Sequence, residues 1–192
     1  MITDWKAVLD SRENRAERQQ KWLREYKIPL VSFTLNIPGP SKQSELYTRI
    51  HEEGLNALSN RIPLHRLESL HLATGSEAIL NTFINSFHLK FITVDLEEHH
   101  PLGRIFDMDV IDQNGRHISR SDMNLPPRRC LICNDEARIC ARNKIHRLED
   151  LLERIFSISA RYFRGSDTSI LNAELTGSPW PCRTIGELNA SA

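Results

Sequence analysis

The stretch HPLGRIFDMDV, residues 100 to 110, decides how this chain is read. Two aspartates, Asp107 and Asp109, stand one residue apart in an otherwise apolar run that follows a Gly-Arg pair. Aspartate is depleted in strands, so acids at alternate positions of such a run need a reason. Side chains at i and i+2 of a strand share a face, so the two carboxylates are expected to project together while Phe106, Met108 and Val110 face the opposite way. Carboxylates held that close repel each other unless a cation lies between them. Mg²⁺, which binds through one or two carboxylates plus substrate phosphates, suits such a pair, and that arrangement serves phosphoryl or nucleotidyl transfer. The plain alternative is a solvent-facing strand whose polar side is acidic.

The neighbours fit the same chemistry. Gly103 would let a phosphate approach the backbone, Arg104 would grip it with a planar fork of donors, and Glu97 on an adjoining strand would bring a third carboxylate to the metal. Downstream, RIFDMDVID, the dipeptide Asn114-Gly115 and RHISRSD predict a hairpin with a type I′ turn. Upstream, LKFITVDLEE reads as a strand, and TGSEAILNTF reads as a turn into a short helix starting near Thr74 or Ser76. That helix N-terminus would offer free N–H groups to a phosphate, with Gly75 and Ser76 in the turn, although an ordinary capping turn explains it as well.

The rest of the chain frames one sheet. Residues 4 to 26 read as a helical region, broken near Ser11; PLVSFTLNIPGP as a strand ended by a turn; SKQSELYTRIHEEGLNALSN as a second amphipathic helix; LHRLESLHLA as a half-buried strand. Helix resumes after Cys133 and restarts before HRLEDLLERIFSISARYF. Lys42, after two prolines, sits in a rigid loop that could present an ammonium to a phosphate or simply lie on the surface. The order of elements points to an α+β (mixed α/β) fold: a single domain over residues 1–165 with one mixed sheet flanked by helices, and a loosely ordered C-terminal tail over 166–192.

Composition narrows the function classes. The chain has 192 residues, enough for one real core, and its 25 Lys plus Arg balance 25 Asp plus Glu, so no global field argues for nucleic acid or an anionic membrane. No apolar run reaches the roughly 18 residues of a membrane helix, and early charges argue against a secretory signal; the expected location is cytoplasmic. Three of the four cysteines cluster, and Cys130, Cys133, Cys140 and His146 could complete a tetrahedral zinc site. Against that, Cys133 and Cys140 would share one face of a continuous helix, where they serve equally as small buried hydrophobes. Between Arg128 and Arg147 a basic run could meet an acidic partner or a polyphosphate, or form a solvated face.

Taken together, PLVSFTLNIPGPSK, TGSE, the acid-led HPLGRIFDMDV and PPRRCLICNDEARICAR, in this order, closely resemble the apo-citrate lyase phosphoribosyl-dephospho-CoA transferase family over about residues 9 to 152. The resemblance implies transfer of a phosphoribosyl-dephospho-CoA group from triphosphoribosyl-dephospho-CoA to a serine of the citrate lyase acyl carrier (gamma) subunit, with release of pyrophosphate. It also implies a nucleotidyltransferase-like fold, in which a Gly-Ser turn precedes an Asp-x-Asp strand, though here Gly75-Ser76 lies far ahead of Asp107. On that reading Asp107 and Asp109 hold Mg²⁺, Arg104 and Lys42 neutralise phosphate oxygens, and Glu97 or His100 accepts the serine proton. Two alternatives stay open: the same transfer onto a malonate decarboxylase carrier, and a non-catalytic, zinc-stabilised interaction module that docks an acidic partner.

Overall fold

The computed structural model describes residues 5–164 as a five-stranded sheet with helices on both faces. Its elements run α1 (Trp5–Tyr26), β1 (Leu30–Leu35), α2 (Glu45–Ser59), β2 (Arg66–Leu72), β3 (Gly75–Asn81), α3 (Ser86–His99), β4 (Phe106–Ile111), β5 (His117–Ile118), α4 (Ala137–Asn143) and α5 (Leu148–Phe163). The expected tail lies outside the described residues.

Strand order is β2-β3-β1-β4-β5, and every pairing is antiparallel. The α+β class holds, but the sheet is not the mixed one expected. The crossovers through α2 (β1 to β2) and α3 (β3 to β4) do join parallel strands, but each steps over one strand antiparallel to both, so no two neighbouring strands are parallel.

The pleat separates two layers. Val31, Phe33, Ala78, Leu80, Phe106, Met108 and Val110 turn to one side and pack against α2, α3 and α5, through Ile50, Leu58, Leu89, Ile92, Leu96 and Ile155. On the other side Leu30, Ile79 and Ile111 meet Trp22 and Leu23 of α1, with Tyr26 packed against them, so this smaller apolar cluster is covered by the C-terminal part of that helix. The remainder of this second face carries Thr34, Glu77, Asp107 and Asp109, as alternation along the strands requires.

Three local expectations change. LKFITVDLEE is the body of α3, not a strand: Asn85 caps it by accepting from Phe87 N at 2.9 Å. The β-branched run Ile92, Thr93, Val94 reads as strand, but those residues are buried under the sheet, and packing overrides propensity. TGSEAILNTF is no helix start; Ala73 and Thr74 form the tip of the β2–β3 hairpin, and Gly75 at φ +115° begins β3. Its apolar run Ala78–Leu80 fits a strand buried on both faces as readily as a helix. Finally, α1 is continuous through Ser11, whose hydroxyl accepts from Thr74 Oγ1 at 2.9 Å.

The Asn114-Gly115 hairpin forms with a different turn. Gly115 takes a positive φ of +85° but Asn114 does not, and Asp112 accepts from the backbone N–H groups of Asn114 (2.8 Å) and Arg116 (2.9 Å). The aspartate side chain stabilises a longer loop that the dipeptide alone does not reveal.

Candidate functional site

β5 is so short that it pairs only Val110 and Ile111, leaving the outer edge of β4 bare at Phe106 and Met108. Buried backbone groups must be satisfied, and charged side chains do this. Glu97 Oε1 accepts from Met108 N at 3.0 Å, Lys90 Nζ donates to Met108 O at 3.2 Å, and Arg128 donates to Phe106 O at 2.7 Å. Glu97 is on α3 rather than a strand and is 5% exposed, with its second oxygen held by Arg120 at 2.8 Å. It is thus an anchor of the strand edge, not a third carboxylate facing outward.

On the face away from the main core, Asp107 is half exposed and Asp109, two residues along, is exposed. Thr34 on the paired position of β1 donates to Asp107 Oδ2 at 3.5 Å, and Arg128 Nη1 lies 3.7 Å from Asp107 Oδ1. Partial burial and then the like charge of Asp109 push the Asp107 carboxyl above the ordinary carboxylate value; Arg128 pulls the other way. A divalent cation would relieve that repulsion, so the pair fits the metal the sequence suggested.

Beside Asp107 opens a cleft of about 200 Å³. Its walls are Ser11, Arg12 and Arg15 of α1, residues 34–37 at the end of β1 and just beyond it, Lys42, and residues 74–77 of the hairpin tip. Lys42, Gly75, Ser76 and Asp107 therefore converge, although they come from three separate stretches of chain. Lys42 Nζ donates to Ile37 O, and burial, followed by the charge of Arg12, pushes its ammonium pKa down. Ser76 Oγ is not offered to the cleft alone, because it lies 2.9 Å from His71 Nδ1.

The cleft adds residues that the sequence reading missed. Glu77 is buried and held by Arg15 at 2.8 Å and by Arg18. Arg12 and Arg15 lie three apart on α1, a spacing visible in the sequence, but a charged helix face is ordinarily just solvated. Nothing local in the sequence says that α1 crosses the polar side of the sheet.

Other expected site residues are placed elsewhere. Arg104 directs its guanidinium to the carbonyls of Arg129 and of Cys130 (3.0 Å), away from the cleft. Gly103 makes room for protein, not phosphate: a Cβ there would press on Leu96 O and sit 2.8 Å from Glu97 O. His100 Nδ1 accepts from Leu102 N at 3.1 Å, with its ring between Phe106 and Tyr162. Neither His100 nor Glu97 borders the cleft.

The cysteine cluster does assemble. Ligand atoms of Cys130, Cys133, Cys140 and His146 all lie within 4.8 Å of one another, a set that could hold a metal ion such as zinc. The helix objection fails because Cys133 precedes α4, and Lys144 at φ +49° turns the chain back so that His146 returns to Cys133.

A polar, cation-walled cleft beside paired carboxylates is what a group-transferring enzyme uses, and the comparisons with known proteins give the class: the chain is a transferase. A sequence profile described as apo-citrate lyase phosphoribosyl-dephospho-CoA transferase matches residues 3–162. Proteins of that name from Escherichia coli O7:K1 (strain IAI39 / ExPEC) and Shigella boydii serotype 18 (strain CDC 3083-94 / BS512) are each 43% identical over 153 residues, covering 77% of this chain and 84% of theirs. The chain belongs to the apo-citrate lyase phosphoribosyl-dephospho-CoA transferase family. No helix among its described residues is long and apolar enough to cross a membrane.

Proposed function

We propose that the chain transfers phosphoribosyl-dephospho-CoA from triphosphoribosyl-dephospho-CoA to a serine of the citrate lyase acyl carrier subunit. The observation that carries this reading is the meeting of Asp107 with Lys42, Arg12, Arg15 and the Gly75-Ser76 tip around one cleft, in a chain of this family. The incoming serine oxygen forms a bond to the phosphorus next to the ribose, the bond from that phosphorus to the pyrophosphate oxygen breaks with its electron pair leaving on pyrophosphate, and the serine proton passes to solvent. Attack and departure lie in line, so positioning and charge neutralisation supply most of the catalysis.

Asp107 and Asp109 would hold Mg²⁺, which when bound supplies charge neutralisation to the reacting phosphate and the departing pyrophosphate. Lys42 and Arg12 would pair with phosphate oxygens from the opposite wall. Gly75 brings the hairpin backbone close without a side chain in the way, so the Gly-Ser element acts as a strand-end tip rather than a helix N-terminus. A Gly-Ser tip facing an Asp-x-Asp strand across one cleft supports the nucleotidyltransferase-like reading. Zinc is the metal we propose for the Cys-His cluster, away from the cleft. The catalytic domain is taken to end near residue 165, just past α5.

Removing one charged hydrogen-bonding group from bound phosphate costs about 1.5–3 kcal/mol. Lys42→Met should accordingly raise KM for the triphosphate substrate by about ten- to a hundredfold, measured by steady-state kinetics, with little change in melting temperature. The pH profile of kcat/KM gives a second check. Only the ionised Asp107 can hold a cation, so activity falls as pH drops through its raised pKa, at higher pH than an ordinary carboxylate would give. Asp109→Asn removes the like charge and should move that acid limb to lower pH in whatever activity remains.

The substrate assignment is tested by supplying the precursor with apo citrate lyase carrier or apo malonate decarboxylase carrier and following pyrophosphate release. Release with the citrate lyase carrier alone is the expected result. Preference for the other carrier would keep the chemistry and change the partner; release with neither would overturn the reading.

A further inference from the structure

Two arginines exchange places between β4 and the cysteine segment. Arg104, just before β4, donates to the carbonyls of Arg129 and Cys130, while Arg128 donates to the carbonyls of Arg104 at 2.8 Å and Phe106 at 2.7 Å. The same Arg128 lies 3.7 Å from both Asp107 Oδ1 and Glu97 Oε1. A segment far along the chain is thereby locked to the first residues of the strand that carries the cleft carboxylate.

That segment has little regular structure to fix it. Between residue 123 and α4, its own order includes one antiparallel bridge, Arg129 with Glu136, and the bonds Cys130 N to Asp135 O (2.7 Å), Ala137 N to Arg128 O (2.8 Å) and Arg129 Nη1 to Asn134 O (2.8 Å). Such a loop needs a further constraint to hold an arginine in register. Cys130 and Cys133 sit on this loop, Cys140 on α4 and His146 beyond it, so one ion would tie the loop to the helix. A tetrahedral zinc with bonds of about 2.3 Å to sulfur and 2.0–2.1 Å to nitrogen requires ligand separations of about 3.5–3.8 Å. Cys133 Sγ lies 3.5 Å from Cys140 Sγ and 3.2 Å from His146 Nε2, and Ile132 N donates to Cys130 Sγ at 3.5 Å. Three thiolates, with the nearby basic run to balance them, make this a closed structural site rather than a catalytic one.

We infer that zinc bound by Cys130, Cys133, Cys140 and His146 fixes the reciprocal Arg104–Arg128 clasp, and that this clasp sets Arg128 against Asp107. Arg128 is a positioning residue on this account, and zinc acts on the cleft from outside it. The inference rests on the cluster being a zinc site and on Asp107 serving the cleft, each of which has its own readout.

The test compares wild type, Cys133→Ser and Arg104→Met by metal content, by hydrogen exchange of individual segments, and by Mn²⁺ binding. Wild type should carry one zinc per chain, Cys133→Ser almost none, and Arg104→Met the full complement. Both variants should exchange amides in residues 103–109 about tenfold faster than wild type, with α2 unchanged, and bind Mn²⁺ more weakly. Wild type lacking zinc even after refolding with it would overturn the zinc site. Zinc loss with unchanged exchange at 103–109, or with acceleration spread equally over α2, would overturn the clasp and leave the zinc site standing. Absence of Mn²⁺ binding to wild type would instead overturn the cleft reading. Should Cys133→Ser not fold, Arg104→Met decides: undisturbed exchange at both 103–109 and 128–136 sinks the clasp.

Discussion

Asp107→Asn should lower the transfer rate by about two to four orders of magnitude while the melting temperature stays the same or rises. The rate loss follows from removing the negative charge that a cation needs, on a side chain whose shape is nearly kept. The stability effect has a definite sign. Burial and Asp109 raise the Asp107 pKa in the folded chain, so between the ordinary carboxylate value and the raised one the folded state binds more protons than the unfolded state. Stability falls as pH rises through that window, and above it the ionised carboxylate is a net cost to folding that Asn removes. Kinetics and thermal unfolding of one preparation check both halves. A variant with near-normal turnover would sink the metal role; one with a large loss of stability would make Asp107 structural.

Gly103→Ala carries the opposite signature. A Cβ there would press into Leu96 O and lie 2.8 and 2.9 Å from the carbonyl oxygen and carbon of Glu97, all of them backbone at the end of α3. Backbone cannot swing aside as a long side chain can, so the end of α3 must shift, and Glu97, which holds the edge of β4, shifts with it. Overpacking of this kind costs about 1–3 kcal/mol or more. Denaturant unfolding should show that loss, with transfer by the molecules still folded changed far less. The reverse outcome, unchanged stability with transfer abolished, would return Gly103 to the phosphate.

The contrast between these two residues shows what the sequence made legible. Alternation in RIFDMDV placed Asp107 and Asp109 on one face of a strand, because a period of two is a local property. The apolar stripes of α2 and α5 were equally local. Gly103-Arg104 misled for the same reason: beside the acids in sequence, the pair looked like their phosphate-binding partner, yet the chain turns between α3 and β4 and commits both residues to backbone contacts. Glu97 also followed from proximity in sequence, and the error over α3 moved it to the wrong element. The cleft's real walls, Arg12, Arg15, Lys42 and Glu77, come from α1, a loop and a hairpin whose meeting depends on sheet order, which no short pattern states. The Cys-His cluster lies between these cases. Its spacing was readable, but the left-handed turn at Lys144 that brings His146 back was not.

The central proposal is that this chain, a member of the apo-citrate lyase phosphoribosyl-dephospho-CoA transferase family, attaches its prosthetic group through a metal held at Asp107 and Asp109. It is tested most directly by intact-mass measurement of apo citrate lyase carrier incubated with the chain, triphosphoribosyl-dephospho-CoA and Mg²⁺, with and without EDTA, using wild type and Asp107→Asn in parallel. The account predicts a gain of one phosphoribosyl-dephospho-CoA group with wild type and Mg²⁺ only. An unmodified carrier in every reaction, or full modification by Asp107→Asn or in EDTA, would contradict it.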